Sequence, residues 1–208
     1  VEKLVTINAG KTYQTITGFG ASDCWNPSYV GKYWTNSRDK ITELLFSSEI
    51  QVGSPKGIGL SMWRVNLGGG TAEQGDASGI TDKSRRAESY LTNDLTLDWN
   101  RCEGQRYFLN RAKEFGCESI VLFSNTPPVQ YTQNGKGFSN QGGVSNLKND
   151  CYDDFAAYMG DVAQYYIDKG YPVTHISPVN EPQYNWDGGQ EGSGWTNDEV
   201  ARLARELV

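Results

Sequence analysis

Residues 173–182 read Val-Thr-His-Ile-Ser-Pro-Val-Asn-Glu-Pro. The β-formers from Val173 to Val179 predict a strand. A helix expected from about Tyr152 to Asp168 precedes it and stops at Gly170, and a further helix is expected to begin near Asn197 as its N-cap. With no tight hairpin between the main strands, the alternation of strand and helix implies parallel pairing through right-handed crossovers. The fold class is therefore α/β. In parallel sheets of this kind ligands sit outside the C-terminal strand ends, where Asn180-Glu181-Pro182 falls.

Working outward, the same pattern repeats. Ser119-Ile120-Val121-Leu122-Phe123 predicts a strand, preceded by a helix from about Gly104 to Phe115 with Tyr107, Phe108, Leu109 and Ala112 as its core face. Gly57 to Asn66 is strand-like but carries Arg64 and Asn66 near its end, ahead of Gly68-Gly69-Gly70. A buried strand does not hold a charge without a partner. Ile16 to Ala21 is the earliest strand of this series and runs into Asp23, Cys24 and Trp25, while Ser37 is expected to cap a helix from Arg38 to Phe46. Leu4 to Ile7 and Lys11 to Thr15 predict two short strands outside the main core. The polar stretch from Thr71 to Asn100 is too long for a plain connector.

At 208 residues with 37% hydrophobic content, the chain can bury one sizeable core. Its net charge of -6 and lack of long charge runs argue against nucleic acid and anionic membrane, and favour a neutral polar ligand. No apolar run reaches the roughly 20 residues of a membrane span, and the opening Val1-Glu2-Lys3 shows no signal pattern, so any export signal is expected to have been removed. Cys24, Cys102, Cys117 and Cys151 have no metal-clip spacing, and the lone His175 supports neither a metal site nor a Ser-His-Asp triad; it is expected in the core or behind the site. Neither metal nor cofactor is expected. Gly68-Gly69-Gly70 lacks the Lys-Ser/Thr of a phosphate loop, and Gly18-Phe19-Gly20 lacks the third glycine of a dinucleotide fingerprint. The absence of a usable Asn-x-Ser/Thr site favours a bacterial source for an exported protein.

Four polar clusters thus fall at expected strand ends: Asp23/Trp25, Trp63/Arg64/Asn66, Asn125 with Pro127-Pro128, and Asn180/Glu181. Cleaving a glycosidic bond usually needs two carboxyls, one to protonate the leaving oxygen. Glu181 fits that acid, provided burial among aromatics raises its pKa. Asn180 offers an amide for a sugar hydroxyl, Arg64 a fixed charge, and Trp25, Trp63, Trp186 and Tyr131 faces on which sugars stack. Each item taken singly has a plainer reading: Asn-Glu-Pro as a turn, Arg64 paired with a structural carboxylate, tryptophans as core, Asp23 bonded to local backbone. Their joint placement is what those readings explain badly.

The strings GFGASDCW (18–25), GIGLSMWRVNLGGG (57–70), LFSNTPPV (122–129) and ISPVNEPQYNW (176–186), with AEQG at 72–75 and QEG at 190–192, resemble glycoside hydrolase family 30. The likeness is greatest to the branch that includes endo-β-1,6-galactanases. It implies a (β/α)8 TIM barrel with an attached β-sandwich, residues 1–15 supplying sandwich strands and 16–208 the first half of the barrel. It also implies a retaining mechanism on a polysaccharide, and a secreted, periplasmic or cell-surface location. By motif, Glu181 is the general acid/base and Asn180 contacts the sugar 2-hydroxyl. Arg64 lies beside the nucleophile, and Asp23, Trp25 and Trp63 line the subsite of the cleaved sugar. Alternatives are a β-1,6-glucanase, glucuronoxylan xylanase or glucosylceramidase specificity, or a non-catalytic carbohydrate-binding fragment. In this family the nucleophile is a second Glu after the seventh barrel strand, whereas four barrel strands are counted here. The chain is therefore expected to be the N-terminal part of a larger enzyme, inactive without the other half of the barrel.

Overall fold

The computed structural model describes residues 3–51 and 53–208. In chain order its elements are β1 (Gly20–Ser22), α1 (Asn26–Tyr33), α2 (Arg38–Phe46), β2 (Ile50–Gln51), β3 (Ser54–Pro55), β4 (Met62–Asn66), α3 (Thr71–Gln74), α4 (Glu103–Glu114), β5 (Ser119–Phe123), α5 (Tyr152–Asp168), β6 (Val173–Ser177) and α6 (Asn197–Glu206). Strands β1, β4, β5 and β6 pair side by side in that order, every pair parallel, while β2 and β3 form a separate short antiparallel hairpin. The expected α/β class and parallel pairing are what the structure has.

Alternation along each strand divides the sheet into two faces. On β4, Trp63 and Val65 are buried beneath the helices; on β5, Ile120 and Leu122 do the same. Helix α4 lays Phe108, Leu109 and Ala112 over them, α5 adds Phe155, Met159, Val162 and Ala163, and α6 adds Leu203. Each fully buried large side chain here contributes roughly 1.5–3 kcal/mol relative to exposure. The opposite face of β1 and β4 borders an open cavity of about 340 Å³ that includes Gly20, Met62, Arg64 and Val121.

Helices α1 and α4 cross on a pair of glycines. A Cβ on Gly104 would lie 1.8 Å from the Ser28 carbonyl oxygen, and one on Gly31 would lie 2.3 Å from the Gly104 carbonyl oxygen. Only two bare backbones fit, so α1, absent from the sequence reading, is pinned where β1 delivers it. Gly170 ends α5 with φ +73 and a bond from its N–H to the Ile167 carbonyl, the left-handed stop its position predicts.

Four expectations are corrected. Residues 4–7 and 11–15 form no strand: Leu4 and Ile7 are 94% and 88% exposed and the segment pairs with nothing among the described residues. A strand exists only against a partner, and residues 4–15 find no ladder among the described residues. The N-cap of α6 is Thr196 rather than Asn197, in a reciprocal capping box with Glu199. Ser37 holds the N-cap position of α2 without a side-chain cap bond. His175 is exposed on β6, which is an edge strand, and not packed in the core.

Candidate active site

Strand β6 ends at Ser177, and Pro178-Val179 carry the chain to Asn180 and Glu181 at its mouth. Glu181 adopts φ +45, a left-handed conformation that costs a non-glycine residue on the order of 1 kcal/mol or more and is most often kept at functional sites. The turn is held by the Tyr184 N–H donating to the Glu181 carbonyl and the Trp195 N–H donating to the Pro182 carbonyl. Beyond it, Trp186 lies almost fully buried against Gly192, where a Cβ would come within 2.0 Å of the indole ring. Glu181, Tyr184, Trp186, Asp187 and Gln190 line a cleft of about 510 Å³, joined by Asp82 and Arg85 from the β4 side. Arg85 donates to the Gln190 side-chain oxygen at 3.2 Å, tying the two walls together. Glu181 itself is exposed. The expected burial among aromatics is not present around it, because an edge strand covers its mouth from one side only.

Arg64 reaches the same mouth from β4. Its guanidinium donates to Asn180 Oδ1 at 2.8 Å and stacks over the Phe123 ring at 3.3 Å. Burial draws its pKa down, against the charges of Asp23 and Glu181; an arginine remains protonated regardless. The bond from Arg64 fixes the Asn180 amide so that its NH2 is left free to donate.

Beneath this layer lies a buried polar network. Asp23 accepts from the Asn66 N–H at 2.9 Å and from Gln105 Nε2 at 2.7 Å. Burial pushes its carboxyl up to about 7 despite those donors and the Arg64 charge. Asn125 donates weakly to Cys24 Sγ and to Asn66 Oδ1, each at 3.3 Å. Burial likewise raises the Cys24 thiol, so it stands as a neutral SH. Trp25 is half-buried beside this network.

Glu191 is completely buried and accepts three bonds: from the Gly69 N–H at 2.9 Å, the Thr71 N–H at 3.3 Å and the Thr71 hydroxyl at 2.5 Å. Burial lifts it to about 7. The triple glycine is thereby explained: Gly68 and Gly69 let the backbone pass against Glu88 and Thr126, presenting N–H groups to a carboxylate.

Of the residues singled out from sequence, Arg64, Asn180 and Glu181 meet at the mouth, Trp186 backs the Glu181 cleft but is too buried to offer a sugar its face, and Asp23, Trp25 and Asn125 lie directly below or beside it. Two do not. Trp63 is 2% exposed, its ring stacked on Phe108 and edge-on to Phe46, so it packs the core and offers no face to a sugar. Tyr131 is also in the core, on a single 3-10 turn near α5. Period-two alternation predicts the first result, since Trp63 and Arg64 are adjacent and must point to opposite faces. Sequence reasoning missed Gln105 and Arg85; Gln190 and Glu191 entered it only within the QEG string, with no role assigned. All four cysteines are free. Among the described residues no helix is long and apolar enough to cross a membrane.

Parallel strands whose C-terminal ends gather an amide, a carboxylate, an arginine and aromatics define an α/β unit with its site at the strand mouths. Residues 2–208 match O-Glycosyl hydrolase family 30, and the chain belongs to that family. An endo-β-1,6-galactanase from Hypocrea rufa is 26% identical over 208 residues, an alignment covering 90% of this chain and 42% of that protein. A conserved exported protein from Bacteroides fragilis superposes with a TM-score of 0.89 at 35% identity, over 97% of this chain and 42% of that one. The catalytic domain of a GH30 xylanase C from Talaromyces cellulolyticus gives a TM-score of 0.65 at 20% identity, covering 97% and 44%. At that identity the likeness shows fold alone: the α/β chain with its parallel sheet superposes on part of a GH30 catalytic domain. The chain spans 42% of the curated relative and 42–44% of these solved structures.

Proposed function

We propose that this chain carries the acid/base side of a retaining endo-glycosidase that cleaves a β-linked polysaccharide, with β-1,6-galactan as substrate. The observation that carries the reading is the Arg64–Asn180 bond of 2.8 Å, which orients an amide at the mouth of β6 on the residue immediately before Glu181. In this reading Glu181 protonates the glycosidic oxygen while a second carboxylate attacks the anomeric carbon; Glu181 then takes a proton from the water that releases the sugar. Asn180 donates to the hydroxyl next to the anomeric carbon, a bond that strengthens as charge develops there.

The nucleophile is proposed to be a second Glu outside residues 1–208. Glu191 is fully bonded within the fold, and Asp187 stands on the same loop as Glu181 rather than across from it. The galactan preference is supported by the Hypocrea relative, and a location outside the cytoplasm by the exported Bacteroides neighbour. Residues 1–15 are proposed to join an attached β-sandwich. The test is to assay the intact enzyme on β-1,6-galactan, β-1,6-glucan and glucuronoxylan, with Glu181→Gln beside it. The expected result is galactan cleavage with retained anomeric configuration, lost in the variant, which still releases a good leaving group in its first step. Full polysaccharide activity in Glu181→Gln would overturn the assignment, and binding of galactan without cleavage by the intact protein would point to a carbohydrate-binding role.

A further inference from the structure

A second cavity opens at the same end of the sheet. The turn Asp82–Arg86 supplies Asp82 and Arg85 to the Glu181 cleft, while its alternate residues Lys83 and Arg86 face a separate space of about 350 Å³. Helix α1 forms the other wall with Tyr29, Lys32 and Tyr33, and Glu88 closes the floor. That volume lies in the roughly 300–1,000 Å³ range of small-ligand sites.

Its chemistry differs from the chain as a whole. The protein carries a net charge of -6, yet of the three cations at this cavity Lys32 and Arg86 are matched by Glu88 and Asp76 and Lys83 is left over, a local excess of one positive charge. Lys32 is neutralised by Glu88 at 2.7 Å. Arg86 is held in place by the Ile80 carbonyl and by Asp76, whose side chain is 92% exposed and which also feels Lys83. Lys83 has no carboxylate within ion-pair distance among the described residues. Tyr29 and Tyr33 stand one turn apart with ring centroids 4.7 Å apart, 38% and 60% exposed, and tilted 47° to one another. Such a pair provides an amphipathic wall on which a sugar ring stacks. The Gly31–Gly104 contact fixes this wall, because α1 cannot shift without separating two touching backbones.

We propose that this cavity is a binding subsite for a glycan residue that bears an anionic substituent, either a carboxylate or a sulfate ester. The tyrosines take the ring, and Lys83 takes the anion. The sugar half of this assignment rests on the carbohydrate reading above, whereas the anionic half rests on the lining charges alone. A global charge of -6 argues against an extended anionic partner and leaves room for one anionic group at a local cationic site.

The experiment titrates the intact protein, by ligand-observed NMR, with methyl β-galactoside, methyl β-galacturonide and methyl β-galactoside 6-sulfate. An anionic ligand is expected to bind about 10-fold more tightly than the neutral one, and to lose most of that advantage at about 0.3 M salt. Lys83→Gln and Tyr29→Ala, both at exposed side chains, are each expected to weaken it by about 5-fold, while Lys83→Gln leaves cleavage of unsubstituted galactan unchanged. Preference for the galacturonide alone assigns the carboxylate, preference for the sulfate alone assigns the ester, and equal preference assigns charge only. Equal binding of the neutral glycoside, or unaltered affinity in both variants, would overturn the proposal. Binding is read directly, so a protein that cleaves none of the glycans would sink the hydrolase reading without touching this one.

Discussion

The Thr71 hydroxyl donates to the Glu191 carboxylate at 2.5 Å, joining residues 120 positions apart in the chain. With the Gly69 and Thr71 N–H groups on the same carboxylate, the loop after β4 and the loop after β6 are fastened to each other beneath the candidate site.

Removing that carboxylate strands buried donors. Glu191→Ala is expected to cost about 2–4 kcal/mol, because two backbone N–H groups and a hydroxyl lose their partner in a site closed to bulk water. Glu191→Gln keeps the size and one accepting oxygen and is expected to lie between Ala and wild type. Urea unfolding of the three proteins checks the order; an alanine variant as stable as wild type would refute the fastening role.

The two buried acids give stability a pH dependence with a definite sign. Asp23 rises from 3.8 and Glu191 from 4.5, each to about 7 and each through burial. The folded state therefore binds these protons more readily than the unfolded state. Their contribution is fully present below about pH 4 and is lost as pH climbs toward 7, at up to about 1.4 kcal/mol per pH unit for each group. Asp23→Asn removes one titration, so its stability is expected to fall less steeply than that of wild type between pH 4.5 and 7. Parallel pH profiles of the two proteins would count against the raised pKa.

Arg64 and Asn180 should behave as one unit. Lysine cannot both lie over Phe123 and hold Asn180 Oδ1, so Arg64→Lys is expected to lower kcat of the intact enzyme by about 10²-fold, as is Asn180→Ala. The double variant should be little worse than either single one, a coupling on the order of 1–3 kcal/mol. Additive losses would show that the bond does not position the amide.

Trp63 and Trp186 should separate by what they affect. Trp63→Leu opens a void between Phe46 and Phe108 and is expected to cost about 2–4 kcal/mol while leaving KM for glycan unchanged. Trp186→Leu alters a cleft wall and should raise KM. A raised KM for Trp63→Leu in a protein of normal stability would contradict its place in the core.

Much of the fold was legible because its signals are local. Ser119–Phe123 and Tyr152–Asp168 are apolar segments with clear stops, and both elements fall where periodicity puts them. Asn180 and Glu181 could be placed because a strand ends at them. Glu191 could not, since its importance comes from three donors more than a hundred residues away and nothing in its own neighbours marks it as buried. Helix α1 was hidden by Pro27 and Gly31, which read as a loop until Gly104 supplies the surface that needs a glycine. Trp63 was misplaced by attending to residue type over alternation, and the strands expected at 4–7 and 11–15 have no partner among the described residues.

The strand order β1-β4-β5-β6 also bears on how the chain is made. Gly20 pairs with Met62, Met62 with Ser119 and Phe123 with Ser177, so each new strand docks on the one synthesised just before it, across loops of roughly 40–60 residues. The sheet can therefore grow from the N-terminal side during translation, one βα step at a time. The Glu191 tie cannot, because its two ends are apart until β6 is in place. Refolding should accordingly show native sheet before a native mouth, with Glu191→Ala speeding unfolding and barely slowing folding; a matching loss in folding rate would place the mouth in the nucleus instead.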